Sequence, residues 1–143
     1  MYTFIWKLNS NMEKKKNVVT RGTAYKILWW CVSEYGRSKL NGPYPFLEFR
    51  KGDYYTGDDY GYYDEVEQVI FINKEANLTL EDLVKTIIHE YTHYVKHSMF
   101  EYKILSKYLS HHRNPLEIDA RKVERRDYKK CLRYLKKEYN IFE

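Results

Sequence analysis

Two histidines and a glutamate in the segment His89-Glu90-Tyr91-Thr92-His93 form a pattern with a definite chemistry. On a helix, residues four apart are separated by about 6 Å along the axis and about 40° around it, so both imidazoles can reach one tetrahedral ion. Glu90 stands about 100° round from His89, where it flanks an ion rather than binding it. A carboxylate in that place can take a proton from a water whose pKa the metal has lowered. The expected chemistry is hydrolysis assisted by Zn2+, with His89 and His93 as metal ligands and Glu90 as the general base. The competing reading is two exposed helix histidines with no metal.

A catalytic zinc site needs a third protein ligand. His97 extends the helical series but lies about 12 Å along the axis from His89. Glu101 requires a sharp break soon after Lys96, and the sequence offers no sign of one. The later histidine and glycine that metzincins use are absent. Deformylases pair such a helix with an upstream cysteine ligand, and Cys31 has none of that motif around it. Glu117 fits best, near the start of a new helix and far enough beyond His93 for the chain to turn back. A plainer reading of Glu117 also exists: Asn-Pro-x-Glu is itself a helix start, with the glutamate reaching back to the cap amide. The positive end of the helix keeps the carboxylate ionised in either case.

The elements that must position these groups are readable along the chain. Residues 1–19 form a loose, polar lead, and Thr20 caps a helix running to about Tyr35, where Gly36 ends it. Ala24, Ile27, Leu28 and Cys31 give that helix an apolar stripe. Asn41-Gly42-Pro43 and Pro45 are breakers, and Phe46-Leu-Glu-Phe49 reads as a short strand. Residues 51–64 mix turn formers with tyrosines and suggest a hairpin or meander. The continuous apolar run Val69-Ile-Phe-Ile72 suits a strand covered on both faces. About three antiparallel strands are expected. Thr79-Leu-Glu-Asp82 is a capping box, opening a helix through at least Lys96. Leu80, Val84, Ile87, Tyr91 and Val95 fall opposite the two histidines, so one side should pack and the other face a cleft. A further helix is expected over Met99–Leu109. After the polar break His111-His112-Arg113, Asn114-Pro115 starts the last one, with Leu116, Ala120, Val123, Cys131 and Leu135 as its stripe.

The fold class is therefore α+β, with residues 20–143 as a single domain, which the length of 143 residues suits. Sixteen tyrosines supply much of the apolar area, so many buried rings must also place a hydroxyl. No apolar run approaches the ~20 residues that span a bilayer. The opening Met1-Tyr-Thr-Phe-Ile-Trp6 is too short for a signal-peptide core. A soluble cytoplasmic protein without membrane association is expected, with Cys31 and Cys131 as buried reduced thiols. The formal net charge is +5, with the excess in Arg121–Lys137. A nucleic-acid partner is one reading of that stretch. Interspersed Glu124 and Asp127 favour the solvated face of an amphipathic helix.

Taken together, these motifs resemble the gluzincin metallopeptidases, above all the small minigluzincins and related one-domain proteins with an Asn-Pro-x-Glu-x-x-Ala signature. Here that signature reads Asn114-Pro115-Leu116-Glu117-Ile118-Asp119-Ala120. The likeness covers about residues 60–125, including Gly61-Tyr-Tyr-Asp64 and the strand before the His89 helix. It implies a zincin-like domain in which His89, His93 and Glu117 bind zinc and Glu90 is general base and acid. It also implies that Ala120 lets two helices approach closely. Substrate would lie antiparallel to an edge strand, sought within 54–72. His112, Arg121 and Tyr128 are candidates for steadying an oxyanion, and Asp119 for supporting a ligand histidine. The implied activity is that of a zinc metalloendopeptidase acting on a protein or peptide, whether an unfolded segment, a partner or its own precursor. The alternative is a zinc-containing binding protein, associated with nucleic acid or protein and without hydrolytic activity. Intact Glu90 argues against that alternative, because a structural site does not need it.

Overall fold

The computed structural model describes residues 17–51 and 59–143. Its elements run α1 (Arg21–Tyr35), β1 (Phe46–Arg50), β2 (Gly61–Asp64), β3 (Val69–Asn73), α2 (Leu80–Lys96), α3 (Met99–Tyr108) and α4 (Pro115–Tyr139). The architecture is α+β, as expected. Of the lead at 1–19, residues 1–16 lie outside the described residues, and Val18 is buried in the core. Part of the hairpin sought at 51–64 likewise falls outside them, at residues 52–58.

Helix boundaries follow the capping signals. Thr20 accepts a hydrogen bond from the Thr23 amide at 3.1 Å, and Gly36 closes α1 with a φ of 77°, where a side chain would be strained. At α2, Thr79 and Asp82 exchange both bonds of the capping box, at 3.1 and 3.3 Å. After Lys96 the chain does break. His97 is extended, and Ser98 caps α3 by accepting from the Glu101 amide. The sequence reading missed this break. Glu101 nevertheless stays exposed on α3 and does not line the cleft.

The sheet corrects one expectation. Its order is β1-β3-β2, with β2 antiparallel to β3 but β1 parallel to it. The sheet is mixed because β2 and β3 form a hairpin, and β3 is laid beside β1 in the same direction. Ile70, Phe71 and Ile72 are all buried, which explains the unbroken apolar run of the central strand. Gly61 opens β2 where a Cβ would stand 2.4 Å from the Phe71 carbonyl oxygen and 3.0 Å from the Thr86 methyl. Any larger residue would push β2 away from β3 first, and from α2.

Helix α2 is the hub, packing on α1, α4, β2 and β3. The expected split into a packed and an open face is too simple. Leu83, Ile88, Thr92 and Tyr94 are buried along with the predicted face, and His93 itself is only 2 % exposed. Tyrosines fill the core with their hydroxyls directed to partners. Tyr94 Oη donates to Gly42 O at 2.9 Å and accepts from the Ser38 amide, and Tyr35 Oη donates to Asp127 at 2.7 Å. Cys31 and Cys131 are free and buried, as anticipated. At the far end of α4, Ile141 is buried and Glu143 accepts from the Leu80 amide at 2.6 Å, a carboxylate at a helix N-terminus. Among the described residues, no helix is long and apolar enough to cross a membrane.

Candidate metal centre

His89, Glu90 and His93 line a cleft of about 980 Å³, together with residues of β2, α3 and the first turns of α4. Glu117 arrives from α4 and is 3 % exposed. Its Oε2 lies 2.9 Å from His89 Nε2, and its Oε1 lies 2.8 Å from His93 Nε2. The cap reading of this residue is not what the structure contains. Asn114 caps α4 by accepting from the Leu116 amide at 3.0 Å, while its own amide donates to Ser110 O. The Glu117 carboxylate turns across to α2 instead.

The residues fit a zinc ion. Bonds of ~2.0–2.1 Å in a tetrahedron hold nitrogen and oxygen ligands roughly 3.3 Å apart. The two histidine–Glu117 separations, each to a different carboxylate oxygen, are a few tenths shorter. The Nε2 of His93 is the more telling atom. It is buried, and Glu117 Oε1, though 2.8 Å away, is off the line a hydrogen bond requires, which leaves the nitrogen without a hydrogen-bond partner. A lone pair left that way is costly unless a cation takes it. His89, Glu90 and His93 also offer ligand atoms within 4.8 Å of one another. Glu90 Oε1, however, is 4.0 Å from His89 Nε2, whereas Glu117 touches both rings. Glu117 is thus the carboxylate in contact with both rings, and Glu90 stands beside them.

Hydrogen bonds behind the rings fix their orientation. A metal-binding histidine donates its other ring N–H to an acceptor. His89 Nδ1 is 2.8 Å from Glu124 Oε1. His93 Nδ1 is 2.9 Å from His97 Nδ1, and His97 Nε2 is 2.7 Å from Asp119 Oδ2. One tautomer pattern satisfies this chain: His93 donates from Nδ1, His97 accepts there and donates from Nε2 to Asp119. Burial lowers the His97 pKa despite Asp119, which keeps the ring neutral and able to accept. His93 Nε2 is then left without a proton, while His89 Nε2 meets Glu117 Oε2.

Electrostatics follow from burial and pairing. Burial disfavours the charged form of His89, but the carboxylates of Glu117 and Glu124 outweigh it and raise the pKa to about 10. Burial opposes ionisation of Glu117 too, yet His89 and His93 hold its carboxyl well below the usual range. Protein atoms alone thus make a histidine–carboxylate ion pair, and a metal would compete with the His89 proton for the same place. Burial pushes the Glu90 carboxyl above its ordinary range, with the two imidazoles pulling against it. A carboxyl so placed is suited to carrying a proton.

His89, Glu90, His93 and Glu117, the four site residues expected from the sequence, all lie at this cleft. Asp119 supports a ring only through His97, rather than contacting a candidate ligand directly. His112 and Arg121 line the cleft, but Tyr128 does not; Lys85 Nζ lies over its ring, 4.6 Å from the centroid. Two groups were missed. Tyr102 donates from its hydroxyl to Glu117 Oε1 at 2.8 Å, and its ring stands edge-on to His93. Nothing in the sequence phases α3 against α2, because the break at His97-Ser98 sets that angle. Glu124 was legible in principle: it follows Glu117 by two helical turns on one face.

Compared with protein-family models, curated proteins and solved structures, the chain matches none.

Proposed function

We propose that the chain is a zinc-dependent metallopeptidase of the gluzincin type, an endopeptidase acting on protein or peptide. The observation carrying this reading is Glu117, a buried carboxylate within 2.9 Å of both candidate ligand nitrogens while Asn114 does the capping. His89 and His93 hold the ion through Nε2 and Glu117 through its carboxylate. When bound, zinc polarises a carbonyl and makes water nucleophilic near neutral pH. Glu90 accepts the proton of the attacking water and passes it to the leaving amine. Glu124 holds the His89 ring, and His97 with Asp119 holds the His93 ring. Tyr102 steadies the Glu117 carboxylate by donating its hydroxyl to Oε1. Among the described residues β2 lies at the edge of the sheet and borders the cleft, and an extended substrate can add to it through backbone hydrogen bonds.

The test is Glu90→Gln, which preserves size and leaves the three ligands in place. The variant should fold and bind zinc like the parent, and lose peptide hydrolysis by ~10²–10⁴-fold. A denatured protein or a peptide library serves as substrate. Cleavage that persists unchanged in the variant refutes the assignment of the base. A zinc-containing binding protein would show no cleavage by either form.

A further inference from the structure

The charges around the cleft are segregated. Of its carboxylates, Glu117 and Glu124 are engaged by the histidines, Asp82 closes the capping box of α2, and Asp59 lies exposed ahead of β2, off the α4 wall. Glu90 is only 7 % exposed. The α4 wall differs. Arg121 and Arg125 continue the row that starts at Glu117, four and eight residues on, and so stand about 6 and 12 Å further along the helix axis. Arg121 is held in place by donating to the His112 carbonyl at 3.1 Å. Among the described residues its one carboxylate partner is Glu117, at 3.9 Å. Arg125 is exposed, lines the cleft and has no hydrogen bond or ion pair among the described residues. His112 stands at the same rim.

We infer that this wall is a carboxylate-recognition subsite, in which Arg125, with Arg121 and His112 beside it, selects peptides bearing an acidic group on that side of the reacting bond. The inference rests on the peptidase reading of the cleft, and it names the substrate class. A guanidinium presents a planar fork that matches a carboxylate with two parallel hydrogen bonds. An extended chain advances ~3.4 Å per residue, so the acidic group falls roughly two to four residues from the reacting carbonyl. Its source is an Asp or Glu side chain or the terminal carboxylate of the peptide. The exposed basic residues further along α4 do not line the cleft, which favours a peptide over nucleic acid.

Binding of fluorescent peptides to zinc-loaded Glu90→Gln protein provides the test, independent of turnover. One peptide carries Glu at a scanned position, its pair carries Gln there, and each is made with a free and an amidated C-terminus. The Glu peptide should bind at least about 5-fold more tightly than the Gln peptide at low salt, with the gap shrinking as salt screens it. Arg125→Gln should remove most of the difference. If instead the free C-terminus carries the preference, the subsite reads a chain end, and Arg125→Gln should abolish that preference. Equal binding of all four peptides, no binding of any, or a preference untouched by Arg125→Gln overturns the inference. So does displacement of the acidic peptide by a single-stranded oligonucleotide at lower concentration than by unlabelled peptide. Acidic-peptide binding without cleavage by the parent would leave the subsite standing and defeat the peptidase reading.

Discussion

Replacing Glu117 by Gln separates a metal ligand from a helix-start residue more cleanly than any other change. The buried carboxylate takes four contacts within 3.2 Å. Oε2 meets His89 Nε2 at 2.9 Å and His111 Nε2 at 3.2 Å, and Oε1 meets Tyr102 Oη and His93 Nε2, both at 2.8 Å. An amide keeps the shape but loses the charge and one of the two acceptor atoms. For the metal-free protein, uncoupling a buried ion pair costs about 3 kcal/mol, at the lower end of such losses because His89 keeps Glu124. For zinc the loss is larger than the ~10–100-fold expected for disturbing a supporting hydrogen bond, because a ligand itself is weakened. The control is Asn114→Ala. It removes the real cap and should lower stability by ~1 kcal/mol while leaving zinc affinity within a few-fold of the parent. Chelator competition measures zinc affinity, and urea unfolding of the metal-free proteins measures stability. Zinc binding by Glu117→Gln that equals the parent, with His89→Ala and His93→Ala both abolishing it, would refute the assignment of the third ligand.

Two further outcomes are expected. Glu124→Ala leaves the His89 Nδ1–H without its acceptor and should weaken zinc binding by ~10–100-fold in chelator competition; an unchanged affinity removes Glu124 from the site. Asp127 lies away from the cleft, where Arg126 holds its carboxyl below the usual range, burial opposing and Tyr35 assisting. Because the folded pKa is the lower one, its stabilisation is complete above the unfolded value of ~3.9 and is lost as pH falls through the folded value. The gap in unfolding free energy between the parent and Asp127→Asn should therefore narrow below about pH 4, and a gap independent of pH contradicts the pairing.

What the sequence revealed tracks how local each signal is. Thr20, Thr79 and Asn114 use side-chain bonds to amides two or three residues away, so the helix starts could be read directly. The spacing of His89, Glu90 and His93 is likewise a property of one helix. The pairing of β1 was not readable, because parallel alignment with β3 depends on the path of the chain between them. Nor was Tyr102, whose approach to Glu117 depends on the turn at His97-Ser98. The second role of His97 shows the same limit. Distance along α2 excluded it as a ligand, but its place behind His93 needs the position of Asp119 on another helix.

The central claim is that His89, His93 and Glu117 together hold zinc. X-ray absorption at the zinc edge, on metal-replete protein of known zinc content, tests it most directly. The expected result is about one zinc per chain, with a nitrogen and oxygen shell at ~2.0–2.1 Å and the outer-shell scattering of two imidazoles. Protein purified with zinc available yet holding none would contradict it. So would a shell containing sulfur at ~2.3 Å, or one carrying a single imidazole.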